Sequence, residues 1–375
     1  MTPLKVEREL TLSELGALFD SDQKQDFAVP ASALTTRFVG EKNEGTEMRF
    51  TQDSNQHLVS AVPVSMTEYA TKQFHGRLAS GFTSYAEELR QKGMGMTYEN
   101  NIRDLMLHDN RTFRVRTLLN DQHEERKVRA VVSDKFKPID DDVVFGAALP
   151  LIDPERFQGI GGNKTDIRTV AKFVERNTSL TIQSGGRTRE FHLGFILNNS
   201  EVGAGSASFS MFMTDNYCTN GCIFSKQVLA NIAYRHVGSR IDIRHGLIEG
   251  STVERAELAS IRNLIVQATQ AAMSMEGQDK IKYALAQSAE RNITSDPVKF
   301  FDTLGKDVKL TKDEIKELPV QAYSDEMTQL GMQAAITALA QTKPYERRLE
   351  LEQIGGNVLM MNDRKWNAIN ALAAA

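Results

Sequence analysis

Cysteine is nearly absent from this chain. Cys218 and Cys222 are the only two in 375 residues, so no disulfide framework is available. Apolar runs long enough to span a membrane are missing. The opening stretch, MTPLKVERELTLSELGALF, mixes charges of both signs and has no apolar core of a secretory signal. A cytoplasmic location without membrane contact is expected. Net charge is only −4, so no global field recruits nucleic acid or an anionic membrane. Nucleotide fingerprints are lacking too. Gly203-x-Gly205 and Gly159-x-Gly161-Gly162 fall short of G-x-G-x-x-G, there is no Walker A sequence, and both read as turns. Cys218-x-x-x-Cys222 has the spacing of half a zinc site, but no second half follows, and His236 and His245 are nine apart. No metal or cofactor is expected. Internal repeats and low-complexity tracts do not occur.

What is present fits a globular protein: 41% hydrophobic and 25% charged residues, in a length suited to one large domain or two ordinary ones. Residues 1–60 are acidic, with ten Asp and Glu against six Lys and Arg. Short strands are expected there around 27–29 and 48–50, and part of the segment reads as a flexible arm. Ser65-Met-Thr-Glu68 is a capping box for a helix reaching residue 79, and helices follow at 82–92 and 100–108. The period then changes to two. TFRVRTLL (112–119) and KVRAVVS (127–133) predict a hairpin, followed by a helix over 140–152 that opens on Asp140-Asp-Asp142. Those carboxylates read as helix-capping groups rather than cation ligands. GIGGN (159–163) reads as a loop, and 169–175 and 179–183 as strands.

Residues 191–224 are the organising stretch. Phe191, Leu193, Phe195 and Leu197 alternate with His192, Gly194 and Ile196, a turn-like 198–205 follows, and Phe209, Met211 and Met213 resume the alternation. A polar knuckle at 215–222 ends it. Helix dominates beyond, with Thr311-Lys-Asp-Glu314 as a capping box and 327–339 strongly helical. The class is α+β: a mainly antiparallel sheet flanked by helices, with a helical C-terminal part. The expected division is an acidic segment at 1–60, an α+β core at 61–250 and a helical part at 251–375.

Basic residues concentrate locally. Residues 111–137 hold eight Lys and Arg against four Asp and Glu, and 168–189 hold five against one. On the hairpin, Arg114 and Arg116 share one face, as do Lys127 and Arg129 on the partner strand. With Lys135, Arg235, Arg240 and Arg244 they are candidates to neutralise phosphates from a solvent-facing sheet, with Tyr217 and Tyr234 stacking bases and Phe136 nearby. The competing reading is a sheet face whose arginines pair with the acidic first sixty residues. A separate constellation, Asn199, Ser200, Glu201, Cys218, Asn220 and His192, is the place to look for catalysis, with Glu201 as base and Cys218 as nucleophile. Backbone-bonding turn side chains explain the same residues without chemistry.

Arg114-Val-Arg-Thr117, Arg129-Ala-Val-Val-Ser-Asp134 with Lys135-Phe136, Ile139-Asp140, Asn199-Ser-Glu-Val-Gly203, Cys218-Thr-Asn-Gly221 and Arg235-His236 resemble, in this order, a phage- and plasmid-borne family known as domain of unknown function 932. The resemblance spans roughly residues 65–345, and departs where Val237-Gly238 replaces the family's Thr-Gly. It implies a mobile-element protein of the bacterial cytoplasm and supplies no activity. The leading expectation is a non-enzymatic protein binding single-stranded DNA in recombination or replication, as a homo-oligomer. The alternatives are a phage structural or host-interaction protein and an enzyme.

Overall fold

The computed structural model describes residues 23–50, 63–119, 126–215, 221–224, 275–322 and 326–374, together with 259, 260, 263, 266 and 267. It is an α+β protein with two mostly antiparallel sheets and a helical C-terminal part.

The first sheet is built from β1 (Gln23–Pro30), β2 (Leu34–Val39), β3 (Gly45–Phe50), β4 (Val64–Met66), β5 (Thr112–Leu119) and β6 (Arg126–Ser133). Its order is β1-β5-β6-β4-β3-β2, with β4 and β6 parallel. The described part of the acidic segment is therefore no arm, because its three strands belong to this sheet. Alternation puts Phe27, Val29, Met48, Phe50, Phe113 and Val115 on one face. That face is covered by α1 (Glu68–Leu78), α2 (Phe82–Gln91) and α3 (Gly95–Leu107), through residues such as Phe74, Leu89 and Ile102. The capping box expected at Ser65 is not used. Ser65 and Met66 pair with β6, and Thr67 caps α1 by accepting from Ala70 N at 3.0 Å.

The second sheet, ordered β11-β10-β9-β8-β7, consists of β7 (Phe157–Lys164), β8 (Thr169–Ser184), β9 (Arg187–Asn199), β10 (Ser208–Asp215) and β11 (Gly221–Phe224). GIGGN, expected as a loop, lies inside edge strand β7, where its glycines pair with β8 around a bulge. The two strands expected at 169–175 and 179–183 are one, β8, whose register against β9 jumps between Val174 and Ser179. The organising stretch is borne out by β9 and β10. Phe191, Leu193, Phe195 and Leu197 face a core shared with α4 (Asp141–Ala148) and α5 (Met275–Glu290). Ile196 and Phe212 face the other way, onto Leu349.

The C-terminal helices α6 (Pro297–Asp307), α7 (Lys312–Gln321), α8 (Gln329–Ala340), α9 (Tyr345–Leu359) and α10 (Asp363–Ala374) enclose a third core around Phe300, Ile336 and Trp366. The Thr311–Glu314 capping box forms as expected, with both reciprocal bonds present. No helix among the described residues is long and apolar enough to cross a membrane.

Candidate functional site

The first sheet has a second face. On β5 it carries Arg114 and Arg116, on β1 Lys24 and Asp26, and on β6 Ala130 and Val132, by the pairings Asp26↔Arg116, Arg116↔Ala130 and Arg114↔Val132. Strict alternation would turn Arg129 toward the helices, beside Val131. A bulge prevents this: Arg116 opposes Ala130 and Thr117 opposes Val128, leaving Arg129 as the extra residue. The irregularity brings Arg129 to the face that Arg116 occupies.

That face is covered, not open. The 134–141 connection and the 199–205 turn lie over it, and Phe136 and Val202 pack on Ala130 and Val132. Arg116 is 1% exposed and Arg129 7%. The solvent-facing basic surface expected from these two arginines is therefore wrong, because both are consumed internally. Arg116 Nε reaches Asp26 Oδ1 at 3.0 Å, its Nη2 reaches Asp140 Oδ1 at 2.7 Å, and its Nη1 donates to the Glu201 carbonyl. Arg129 Nη1 binds Glu201 Oε2, and its Nε and Nη2 have no partner among the described residues. Glu201 Oε1 takes Lys24 Nζ at 2.5 Å and the Asp141 N–H at 2.7 Å. Phe136, expected near a base-stacking surface, is buried with the Arg116 guanidinium over its ring at 5.6 Å.

Glu201 thus does what the aspartates were expected to do. Asp140 occupies the N-cap of α4 but makes no capping bond, since its carboxylate is turned to Arg116. Glu201, from the turn after β9, caps the helix instead. Burial would push its carboxyl up, but Arg129 and then Lys24 outweigh that and hold it at about 2. Burial followed by the charge of Glu201 raises Asp141 to about 6. Asn199 donates to Asp141 Oδ1 at 2.8 Å and to the Ile139 carbonyl at 3.0 Å, and Ser200 Oγ donates to the Ile167 carbonyl at 2.7 Å. Gly203 closes the turn at φ +79°, where a side chain would be strained and a Cβ would lie 3.1 Å from Phe136 Cε2. Asn199, Ser200 and Glu201 therefore hold neighbouring elements and point at no open cleft.

The remaining catalytic candidates do not converge here. His192 pairs with Thr214, seven residues along β9 from Asn199, or roughly 23 Å at about 3.3 Å per residue. It is buried, and neither ring nitrogen has a partner among the described residues. Cys222 faces the core on the opposite side of the sheet from His192, and burial, then Glu352, pushes its thiol upward. In a Cys218→Ala variant, a thiol reagent is expected to leave Cys222 unmodified in the native protein and to modify it fully after denaturation. Cys218, Asn220, Tyr217, Tyr234, Arg235, Arg240 and Arg244 lie outside the described residues.

The other basic stretch is spent in the same way. Lys172 binds Glu352 at 2.7 Å, Arg168 lies 3.5 Å from Glu346, and Arg189 is clamped between Asp215 and Glu326. Arg114 is a quarter exposed, 3.7 Å from Asp26. Only Lys127 and Lys135 of the described candidates are exposed. Lys24, Asp26 and Thr169 complete the cluster with Asp141 and escaped the sequence reading, since a single buried polar residue has no periodic signature.

No protein-family model, curated protein or solved structure matches the chain. The segments 114–117, 129–136, 139–140 and 199–203 meet at this one junction.

Proposed function

We propose that the protein is a non-enzymatic nucleic-acid-binding protein that holds a single strand by its backbone, with the half of the first sheet that no described element covers as the surface. The observation that carries this reading is a row across four strands, Arg37–Glu47–Ser65–Lys127, with Arg49 beside it. Alternation sends Thr36, Met48 and Val64 into the core and leaves this row facing outward. Arg37 is half-exposed, paired with Glu47 at 2.8 Å, and Lys127 is 50% exposed. Three strand spacings of about 4.8 Å put Arg37 and Lys127 roughly 14 Å apart. No aromatic side chain stands in this row, so the contact is to phosphate and carries no sequence preference.

Fluorescence anisotropy with a labelled single-stranded oligonucleotide tests the reading. Affinity is expected to weaken steeply with salt, and Arg49→Glu with Lys127→Glu to lower it at least about tenfold at low salt. The salt slope should drop by about 0.7 for each phosphate that is no longer neutralised. Both side chains are exposed, so the fold should be unaffected. Absence of binding by the wild type at low salt overturns the proposal.

A second reading, a module that binds another protein, draws on Met96 and Leu107. They lie on one flank of α3 and are 82% and 60% exposed. It expects a stable protein complex and indifference to DNA.

A further inference from the structure

Four carboxylates and four cations meet between the two sheets. Glu201 holds Lys24 and Arg129, Asp26 lies against Arg114 and Arg116, and Asp140 holds Arg116. Asp141 is the fourth carboxylate, and among the described residues it has no cation in ion-pairing range. Its partners are neutral: Thr169 Oγ1 donates to Oδ2 at 2.6 Å and Asn199 Nδ2 to Oδ1 at 2.8 Å. Its own N–H holds Glu201 Oε1 at 2.7 Å, which draws a second carboxylate against it. The residue is 1% exposed. An ionised carboxylate there is cut off from solvent and has no cation in ion-pairing range among the described residues.

We propose that Asp141 is a proton-operated latch between the two sheets. With a proton on Oδ2, Asp141 donates to Thr169 Oγ1, whose hydroxyl rotates to accept, while Asn199 still donates to Oδ1. The helix α4 is then tied to β8 and β9 without repulsion. When the proton leaves, the carboxylate pushes against Glu201, and Glu201 is the group that pins Lys24 of β1 and Arg129 of β6. Loss of one proton thus bears on both sheets. The charges facing Asp141 are Glu201 from the turn after β9, Lys24 and Arg129 behind it, and Asp140 with Arg116 on the helix side. Asp26 and Arg114 sit farther out on the rim.

The direction of the pH effect follows from the two carboxyls. Asp141 titrates near 6 in the folded chain, above its ordinary value, so its contribution is complete below about pH 4 and is lost as pH rises through 6. Glu201 titrates near 2, below its ordinary value, so its contribution is present above about pH 4.5 and is lost as pH falls toward 2. The junction is tightest in the mildly acidic window between them.

Unfolding of the full chain is compared for wild type and Asp141→Asn from pH 4.5 to 8. The ratio of wild-type to variant folding constants is expected to fall by about 30-fold across that range, the part of a two-unit shift that is lost above pH 4.5. Parallel profiles overturn the proposal. Should Asp141→Asn fail to fold, hydrogen exchange of the wild type decides. Amides of β8 and β9 around Thr169 and Asn199, corrected for intrinsic exchange, should lose protection between pH 5 and pH 7.5. Unchanged protection refutes the latch.

Discussion

Glu201→Ala is expected to lower the stability of the fold by about 3–5 kcal/mol, read as a drop in the urea midpoint with little change in slope. The size follows from what the substitution strands. Lys24 and Arg129 lose their only ion-pair partner among the described residues, and the first N–H of α4 loses its cap. Glu201 and Arg129 are both buried, so water cannot replace the carboxylate without opening the junction. Glu201→Gln should do less damage, since an amide oxygen still accepts from Asp141 N. A change below about 1 kcal/mol for the alanine variant would mean that the cluster is not under load.

Gly194→Ala is expected to be comparably severe, at about 3 kcal/mol or more. A Cβ at Gly194 would lie 1.8 Å from the Phe173 carbonyl oxygen and 2.7 Å from its carbon. The obstacle is the backbone of β8, and no rotamer relieves it. Gly194 pairs with Val174 at the point where the β8 register jumps to Ser179, so β8 leans over β9 there and only glycine leaves room. Separating the strands would open the core around Phe173 and Phe195, whose rings stack at 5.0 Å. The variant should be recovered poorly, or unfold at much lower urea. A wild-type midpoint would contradict this.

The fold was largely legible where burial is periodic. The hairpin of β5 and β6, the alternation through β9 and β10, and the Thr311 capping box all follow from side-chain spacing. Tertiary pairing overrides local signal elsewhere. GIGGN has turn composition, but an edge strand asks only that its backbone pair on one side, and glycine permits that. Ser65 has the right sequence for a cap, but the pairing of β4 with β6 claims it.

The site was legible in its residue types and not in its use. Arg114, Arg116, Lys127 and Arg129 read as an outward basic face. Lys127 and Arg129 share the outward face, as their spacing reads, but no local pattern shows that the 199–205 turn returns to cover Arg116 and Arg129. The competing reading, that the arginines pair with the acidic first sixty residues, holds for Asp26. Most of the negative charge comes instead from Asp140 and Glu201, far along the chain. Asn199, Ser200 and Glu201 were singled out correctly as unusual, and they act by bonding the backbone and ions of neighbouring elements.

The central claim is that the buried arginines join the sheets while the exposed row on β2, β3, β4 and β6 meets the ligand. Arg129→Met tests it most directly, with urea unfolding and oligonucleotide affinity measured on the same sample. A large loss of stability is expected, since Lys24 is then the one cation left to Glu201 among the described residues, together with unchanged affinity in the fraction that remains folded. Unchanged stability with binding abolished would contradict the claim, and would return Arg129 to the ligand.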